Sequence, residues 1–337
     1  MDLTRLTQIL DRASSRQITV IGDLMLDEFV WGKVGRISPE APVPVVEVTG
    51  ESFYPGGAAN VARNLREFVD RVGIIGLLGK DRSGQQLREL LSEQKIDTSD
   101  AVEEATFQTI IKTRIIARNQ QVVRVDREKF VGPSAPQIKE VVTAVRKKIL
   151  ETDAIIFEDY GKGFLSTELV SQIAEAARSV GKIVAADPNP HNLLQWRGLT
   201  VIKPNRTEAF LAAGIPSHDT DATPSQDTDL KRAGDTLLKK WETDNVLITL
   251  GEHGMMLFQK KETPHYIPTK AREVFDVSGA GDTAIALFTL GLVCGATPTE
   301  AAEIANHASA VVVSKLGTAT VTRDELMASF REDSVRD

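Results

Sequence analysis

Two hydrophobic patterns alternate along the chain. Short apolar runs, each typical of a buried parallel strand, recur at residues 18–21, 73–78, 154–157, 182–186, 200–202 and 246–250. Between them, apolar positions with helical spacing predict amphipathic helices at about 58–69, 83–94, 136–150, 166–180 and 228–241. Strands that alternate with helices in this way predict an α/β fold, a three-layer αβα sandwich with a mostly parallel sheet.

Two segments depart from this rhythm. Residues 43–54 and 106–127 alternate apolar and polar side chains, and period two predicts half-exposed antiparallel strands. We interpret residues 28–55 and 106–127 as a small β layer of one domain spanning 1–337, which serves as a lid or a dimer face. One small sheet cannot cover all of its apolar residues, so we expect a homodimer through this layer. A polar surface loop is predicted at 216–229.

Composition narrows the class of protein. The 337 residues carry a net charge of −7 and no long Lys/Arg run, which argues against a nucleic-acid partner. Without an apolar stretch of about 18 residues or a signal-peptide pattern, we expect no membrane span and no export. The single cysteine, Cys294, fits a reducing cytoplasm, and we expect a buried thiol. The five histidines, including His218, show no zinc-ligand spacing.

The most informative motif is DVSGAGDT at residues 276–283, between a short predicted strand at 272–275 and an apolar helix. Gly279 and Gly281 let the backbone approach a ligand closely. With Ala280 they place unpaired N–H groups at a helix N-terminus, which suits a phosphate. Asp282 in the first turn could then take a proton from an attacking hydroxyl. The simpler alternative is a glycine-rich turn capped by Asp282.

Several polar residues follow predicted strands directly. These are Asp23, Asp159, Asp187, Asn205 and Gly251. Ligands of open α/β sheets bind outside the carboxyl ends of the strands, so together these residues predict one crevice. Each of them taken singly also fits an ordinary turn or helix cap.

A second glycine motif, GGAAN at residues 56–60, precedes another helix. Gly57 allows close approach of a ligand, and Asn60 offers a donor and acceptors to sugar hydroxyls; tight helix–sheet packing is the alternative. Together with residues 276–283, this motif resembles the signatures of the PfkB, ribokinase-like carbohydrate kinases. The resemblance extends from about residue 16 to 325 and implies a ribokinase-like fold, with a sugar and ATP as substrates.

Further segments carry the resemblance to the nucleotide side of such kinases. KPNRTE at 203–208 resembles the Asn-x-x-Glu motif, which implies that Asn205 and Glu208 hold Mg²⁺ through water and serve the phosphates. TLGEHG at 249–254 resembles the nucleotide loop, with Thr249, Gly251 and Gly254 as contacts. Asn306 stands where the family lines its adenine pocket.

A potassium site is a further hypothesis from the same resemblance. Many ribokinase-like enzymes hold K⁺ near the anion-binding turn and a late Gly-Thr segment. Asp276, Lys315 and Gly317 occupy the matching places in this chain.

Within the family the pattern is similar to the heptose 7-phosphate kinases, which supply the kinase half of the ADP-heptose synthesis enzymes. The segments concerned are GDLMLD at 22–27, RISPEAPVPVV at 36–46, RNQQ at 118–121 and KLGTAT at 315–320. The implied reaction is ATP-dependent phosphorylation of the anomeric C1 hydroxyl, giving a 1,7-bisphosphate. Asn189 stands where those enzymes tend to carry lysine, so another sugar, sugar phosphate or sugar acid stays open. We expect no nucleotidyltransferase domain in this chain, and therefore no adenylyl step.

The acceptor site follows from the same interpretation. Asp23, Asp27, Gly57 and Asn60 are placed for sugar hydroxyls, as is Asp159. Cations for a sugar phosphate are Lys112, Arg114, Arg118, Arg124 and Lys162. For the four on the β layer, a solvated strand face is the alternative.

Two rival classes remain. A dinucleotide-dependent oxidoreductase fits the βα pattern, but the first strand is followed by GDLM instead of Gly-x-Gly-x-x-Gly. A nucleotide-binding regulator without catalysis is the other rival, and the intact Asp282 argues against it.

Overall fold

The computed structural model describes residues 1–118, 120–217, 222–271 and 273–334. Asn119, His218 and Arg272 lie outside the described residues, as does the 218–221 part of the predicted polar loop. Within the described parts, no helix combines the length and apolar character needed to cross a bilayer.

The strands are β1 (Gln17–Gly22), β2 (Leu24–Ile37), β3 (Pro44–Gly57), β4 (Arg71–Ile75), β5 (Leu77–Gly79), β6 (Ile96–Asp97), β7 (Val102–Glu104), β8 (Ile110–Ala117), β9 (Gln120–Arg127), β10 (Ala154–Glu158), β11 (Ile183–Asp187), β12 (Val201–Ile202), β13 (Asn245–Thr249), β14 (Met255–Gln259) and β15 (His265–Ile267). The helices are α1 (Leu3–Leu10), α2 (Ala58–Arg66), α3 (Arg82–Glu93), α4 (Ala135–Lys148), α5 (Thr167–Ser179), α6 (Arg206–Ala213), α7 (Thr228–Lys240), α8 (Ala280–Val293), α9 (Pro298–Val313) and α10 (Arg323–Ser334).

The main sheet follows the order β15-β14-β13-β12-β11-β10-β1-β4-β6 among the described residues. Its pairs are parallel except β13–β14 and β14–β15. Side chains of a strand point alternately to the two faces of the sheet. Accordingly, Ile155 packs into one buried cluster and Ile156 into the other, and each cluster is closed by its own set of helices. The predicted α/β architecture is therefore confirmed. Cys294 is buried, as the sequence predicts.

A second, smaller sheet has the order β3-β2-β8-β9 in the described chain. The pairs β2–β3 and β8–β9 are antiparallel as predicted, but β2 and β8 run parallel, which corrects the purely antiparallel expectation. The two strands run parallel because both begin at the same place, where the small sheet meets the main domain. Met25 pairs with Ile110 at the buried base, and both strands extend outward from there.

Two strand predictions were wrong in detail. The apolar run at 73–78 is divided at Gly76 into β4 and β5, and β5 leaves the main sheet to pair with β7. Residues 273–275 form no strand. Instead, the N–H groups of Phe275 and Asp276 donate to the Val313 carbonyl at 2.8 and 3.3 Å, so the loop is anchored at the end of α9.

Candidate active site

The polar residues predicted to share a crevice lie at the carboxyl ends of neighbouring strands. Asp23 follows β1, Asp159 follows β10 and Asp187 ends β11. Asn205 bridges to Thr249 at the end of β13, and Gly251 comes just after it. The strands β1, β10, β11, β12 and β13 are adjacent in the sheet, so these residues share one edge.

The glycine turn before α8 is tightly constrained. Gly279 precedes the helix with φ +82°, in the left-handed region, and a Cβ there would lie 2.7 Å from Asn60 Nδ2. A Cβ at Gly281 would lie 3.4 Å from Lys203 Nζ. The Ala280 N–H donates to the Val277 carbonyl at 3.2 Å, so one of the three amides assigned to a phosphate has a partner within the turn. The backbone here fits a close-approach anion cradle at a helix N-terminus.

Asp282 lies in the first turn of α8 and is 5% exposed. Asn60 Nδ2 donates to its Oδ2 at 2.7 Å, and the Tyr160 hydroxyl donates to its Oδ1 at 2.7 Å. Burial raises the pKa of Asp282 to about 6, although these two hydrogen bonds act in the opposite direction. The carboxylate is thus oriented on both oxygens and titrates close to neutral pH.

A group of buried charges surrounds Asp282. One carboxylate oxygen each from Glu158, Asp187 and Asp282 lie within 4.8 Å of one another. Burial, and then repulsion from Asp187 and Asp282, raises the pKa of Glu158 well above its ordinary value. Lys203 Nζ lies 2.8 Å from Asp187 Oδ2. Burial opposes the charge of Lys203, but the neighbouring carboxylates, Asp187 foremost and then Glu208 and Glu158, together outweigh this and raise its pKa. The pKa of Asp187 is also raised by burial, to about 6.

Asp23 organises the loop that follows β10. Its Oδ2 accepts the N–H groups of Tyr160 and Lys162, both at 3.0 Å, and its Oδ1 accepts that of Phe164 at 3.1 Å. Burial nonetheless raises the pKa of Asp23. These bonds give Asp23 a structural role, and a direct contact with a sugar stays a prediction.

Asp159 has an unused oxygen. Its Oδ1 accepts from the Gly161 N–H at 2.8 Å and from Asn192 Nδ2 at 3.2 Å, whereas the buried Oδ2 has no partner among the described residues. Burial raises the pKa of Asp159 to about 6. An acceptor without a partner beside the crevice can take a hydroxyl hydrogen bond. Lys162, by contrast, is paired with Glu128 at 2.7 Å.

The cations assigned to a sugar phosphate differ in their surroundings. Lys112 Nζ lies 5.3 Å from the centre of the Tyr160 ring, and burial followed by repulsion from Lys162 lowers the pKa of Lys112. Arg114 is paired with the buried Asp27 and stacks over Phe29.

The two outer arginines lie away from this group. Arg124 is exposed and is paired with Asp126 at 2.9 Å, and Arg118 is exposed at the turn between β8 and β9, with φ +49°. The structure therefore places Lys112 against Tyr160, a hydrogen-bond partner of Asp282. Roles for all four remain predictions.

The nucleotide-side residues are also held locally. Asn205 Oδ1 accepts the Glu208 N–H at 2.9 Å, and Glu208 Oε2 accepts the Asn205 N–H at 2.8 Å, a capping box that begins α6. Gly254 has φ +88°, and a Cβ there would lie 2.2 Å from the Ile267 carbonyl oxygen. Asn306 Nδ2 donates to the Pro268 carbonyl at 2.7 Å.

The residues assigned to potassium come together. Asp276 accepts the Ser278 N–H at 2.9 Å on Oδ1 and the Gly317 N–H at 3.1 Å on Oδ2, which joins the glycine turn to the late Gly-Thr segment. The Lys315 ammonium is paired with Glu325 at 2.7 Å. An ammonium has no lone pair, so Lys315 could serve a cation only through its backbone carbonyl.

Comparison with known proteins places this geometry in a family. The family described as "pfkB family carbohydrate kinase" matches residues 15–325. The chain belongs to this family. The relatives include the "Bifunctional protein HldE" of Citrifermentans bemidjiense, 40% identical over 328 residues, covering 97% of this chain and 66% of the relative. That of Helicobacter hepaticus is 42% identical over 315 residues, covering 94% of this chain and 64% of the relative. The chain spans about two thirds of the length of these relatives.

Solved structures show the same fold. Phosphofructokinase-2 from Escherichia coli, in complex with potassium, has a TM-score of 0.76 at 19% identity, covering 95% of this chain and 99% of that chain. Arabidopsis thaliana ribokinase, complexed with ribose and ATP, has a TM-score of 0.69 at 18% identity, covering 94% and 99%. The ribokinase-like fold and the PfkB kinase assignment made from the sequence are confirmed.

Three residues of this PfkB site were not assigned from the sequence. Tyr160, Glu158 and Lys203 all touch or surround Asp282 or its neighbour Asp187. A signal was present for two of them: Glu158 ends an apolar strand and Lys203 follows another, and charges in buried runs need partners. Tyr160 gave no such signal, because an aromatic residue beside a strand is ordinary.

Proposed function

We propose that this PfkB kinase transfers the γ-phosphoryl group of Mg-ATP to the anomeric C1 hydroxyl of a heptose 7-phosphate. The observation that carries the proposal is the carboxylate of Asp282, oriented by Asn60 and Tyr160 in the first turn of α8 beside the glycine cradle. The choice of heptose is supported by the RISPEAPVPVV segment and by relatives that share the name HldE.

Phosphoryl transfer needs an aligned nucleophile and stabilisation of phosphate charge. Asp282 orients the acceptor hydroxyl and takes its proton late in the step. The helix N-terminus favours its charged form, but burial outweighs this and raises the pKa of Asp282 to about 6, within the range that suits a general base. The N–H groups of Gly279 and Gly281 stabilise the transferred group. Each well-aimed donor is worth roughly 3 kcal/mol in reactions of this kind.

A magnesium ion fits the donor set at the start of α6. Glu208 is half-buried and Asn205 is exposed. One side-chain oxygen of each accepts a backbone N–H in the capping box, but carboxylate and amide oxygens have capacity for further contacts. Mg²⁺ prefers oxygen ligands and retains several waters. When bound, the ion neutralises charge on the phosphates of ATP. Thr249, Gly251, Gly254 and Asn306 complete the proposed nucleotide side, and the Asp276–Gly317 junction is the proposed potassium site.

The sugar phosphate is proposed to bind between the small sheet and the loop after β10. Lys112 faces this loop through Tyr160, Lys162 follows on the loop itself, and Arg114 is partly neutralised by Asp27. Asn189 lies against the same loop, since a Cβ at Gly161 would be 2.9 Å from its Nδ2. Lys162, the next residue, is therefore the proposed cation close to the position where heptose kinases tend to carry lysine, although its ammonium is paired with Glu128 at 2.7 Å.

The small sheet is also the proposed lid and dimer face of a single domain. Val123 and Val125 on β9 are 45% and 41% exposed, and a second copy would cover them. A cytoplasmic location is part of the proposal, because ATP and sugar phosphates are its substrates. A second candidate, a PfkB kinase for another sugar or sugar acid, is favoured by Asn189 alone.

A coupled ADP-release assay with Mg-ATP tests the proposal across free sugars, hexose 6-phosphates and heptose 7-phosphates. We expect kcat/KM for a heptose 7-phosphate to exceed that of every other acceptor by at least about 100-fold, since a lost charge contact costs several kcal/mol. Preference for an unphosphorylated sugar would retire the heptose proposal and leave the PfkB assignment intact.

A further inference from the structure

We propose that Tyr160 is a positioning residue that keeps Asp282 ionised and aimed in the free enzyme. The inference rests on the proposed role of Asp282 as the base. Tyr160 itself is assigned no contact with either substrate.

Tyr160 is held from three directions. Its hydroxyl donates to Asp282 Oδ1 at 2.7 Å, and its backbone N–H donates to Asp23 Oδ2 at 3.0 Å. The ammonium of Lys112 lies 5.3 Å from the ring centre. A half-buried phenol fixed at its backbone, ring and hydroxyl directs its one proton at one carboxylate oxygen. Asp23 accepts three N–H groups of this loop and thereby helps to hold Tyr160 in place beside Asp282.

The hydrogen bond discriminates between the two protonation states of Asp282. A carboxylate has about four acceptor positions, so bonds from Asn60 and Tyr160 leave room for an acceptor hydroxyl. A protonated carboxyl accepts the phenol proton less strongly, and therefore the bond stabilises the charged form. Tyr160 thus keeps available the form of Asp282 that can take a proton.

The surrounding charges show why such support is needed. Glu158 and Asp187 approach Asp282 from the ends of β10 and β11. Asp187 disfavours the negative charge of Asp282, and Glu158, whose own pKa is raised well above its ordinary value, adds no favourable charge. Lys203 favours that charge, but its ion-pair partner is Asp187. Burial is the largest influence and also opposes ionisation of Asp282. Among the described residues, Asn60 and Tyr160 donate directly to its two oxygens.

The test is Tyr160→Phe, which removes one oxygen and keeps the ring beneath Lys112. We would measure kcat/KM for the preferred acceptor against pH, because this ratio reports ionisations of the free enzyme. The acid limb of this profile is the part in which the rate falls as the pH is lowered. It should move to higher pH by about half a unit to one unit, since the charged form of Asp282 loses a hydrogen bond. Ionisation of a sugar phosphate also falls in this range, but it is the same for both enzymes and cancels.

A merely structural role predicts a different result. Loss of packing would lower kcat/KM by a constant factor at every pH and leave the acid limb in place, and this outcome would overturn the proposal. Asp159 and Asp187 also titrate near pH 6, but Tyr160 does not touch their carboxylates by a described bond, so a shift points to Asp282.

Tyr266→Phe is the matched control. It removes a hydroxyl that donates to the His253 carbonyl at 2.9 Å, and the acid limb should stay at its wild-type position. The measurement uses whichever sugar or sugar phosphate the wild type prefers in the acceptor assay. A preference other than heptose 7-phosphate therefore overturns the substrate proposal alone, and an unmoved limb in Tyr160→Phe overturns the Tyr160 proposal alone.

Discussion

Asn60 and Asp282 are 222 positions apart in the chain, and their side chains are joined by a 2.7 Å hydrogen bond. This bond links the helix after the GGAAN segment to the first turn of α8. The two glycine motifs are therefore parts of one site. The two motifs also constrain each other sterically, because a Cβ at Gly279 would lie 2.7 Å from Asn60 Nδ2.

Asp282→Asn tests the base assignment. The amide keeps the size of the side chain but cannot take a proton, so kcat should fall by about 10²–10⁴-fold. ATP affinity should stay within a few-fold of wild type, because Asp282 is proposed to act on the acceptor. Steady-state kinetics and calorimetric ATP titration measure the two quantities. A variant with near-normal turnover would end the assignment.

The acid limb of the pH profile tests the environment of Asp282. Burial raises its pKa from the ordinary 3.8 to about 6, and the base must be ionised to act. Lowering the pH through about 6 should therefore reduce kcat/KM tenfold per unit below the limb. Rate measurements between about pH 4.5 and 8, a range that spans the expected limb, would show this. Full activity retained down to pH 4.5 would contradict it.

Gly279→Ala tests the cradle against a matched glycine. Both Gly279 and Gly181 have positive φ, +82° and +70°, so alanine at either site should cost about 1–2 kcal/mol of folding free energy. Only at Gly279 would the new Cβ meet a neighbour, Asn60, since nothing lies within 4 Å at Gly181. We expect Gly279→Ala to melt at or below the temperature of Gly181→Ala, and to lose at least about tenfold of its activity when both are assayed well below their melting temperatures, whereas Gly181→Ala keeps wild-type activity. Equal activities would show that the cradle tolerates the displacement.

The main sheet could be predicted from the sequence because each of its buried strands is marked by a continuous apolar run. Ile155 and Ile156 lie in an apolar run that is buried on both faces, and such runs identify parallel strands without further context. The direction of β2 against β8 could not be predicted in this way. Period-two alternation tells which side chains share a face and is the same for parallel and antiparallel neighbours.

The placement of Gly279 and Asp282 at a helix N-terminus could be predicted, because the glycine spacing and the apolar run that follows agree there. The site was not predictable where long-range packing decides. Val274 and Phe275 have strand-like character, yet they are 58% and 62% exposed in a loop, because the backbone finds its partner at the end of α9. Tyr160 reaches Asp282 across 122 positions, a contact that no local pattern encodes.

Glu158→Gln tests the buried charge cluster through stability. The folded-state pKa of Glu158 is raised well above its ordinary 4.5, mainly by burial, so the folded protein binds a proton that the unfolded chain has lost. In that window each rise in pH lowers stability, and glutamine removes the effect. The melting temperatures of the two proteins should converge near pH 5. By about pH 8, Glu158→Gln should be higher by about 2 °C or more. Parallel curves would show that Glu158 does not titrate differently on folding.

The most direct measurement of the central claim is the structure of the product. Incubation with Mg-ATP and a heptose 7-phosphate, followed by phosphorus–proton correlation spectroscopy, identifies the carbon that receives the new phosphate. The account predicts a second phosphate coupled to the anomeric proton, with the 7-phosphate retained. A new phosphate at any other position, or no transfer to this sugar while another acceptor is phosphorylated, would contradict it.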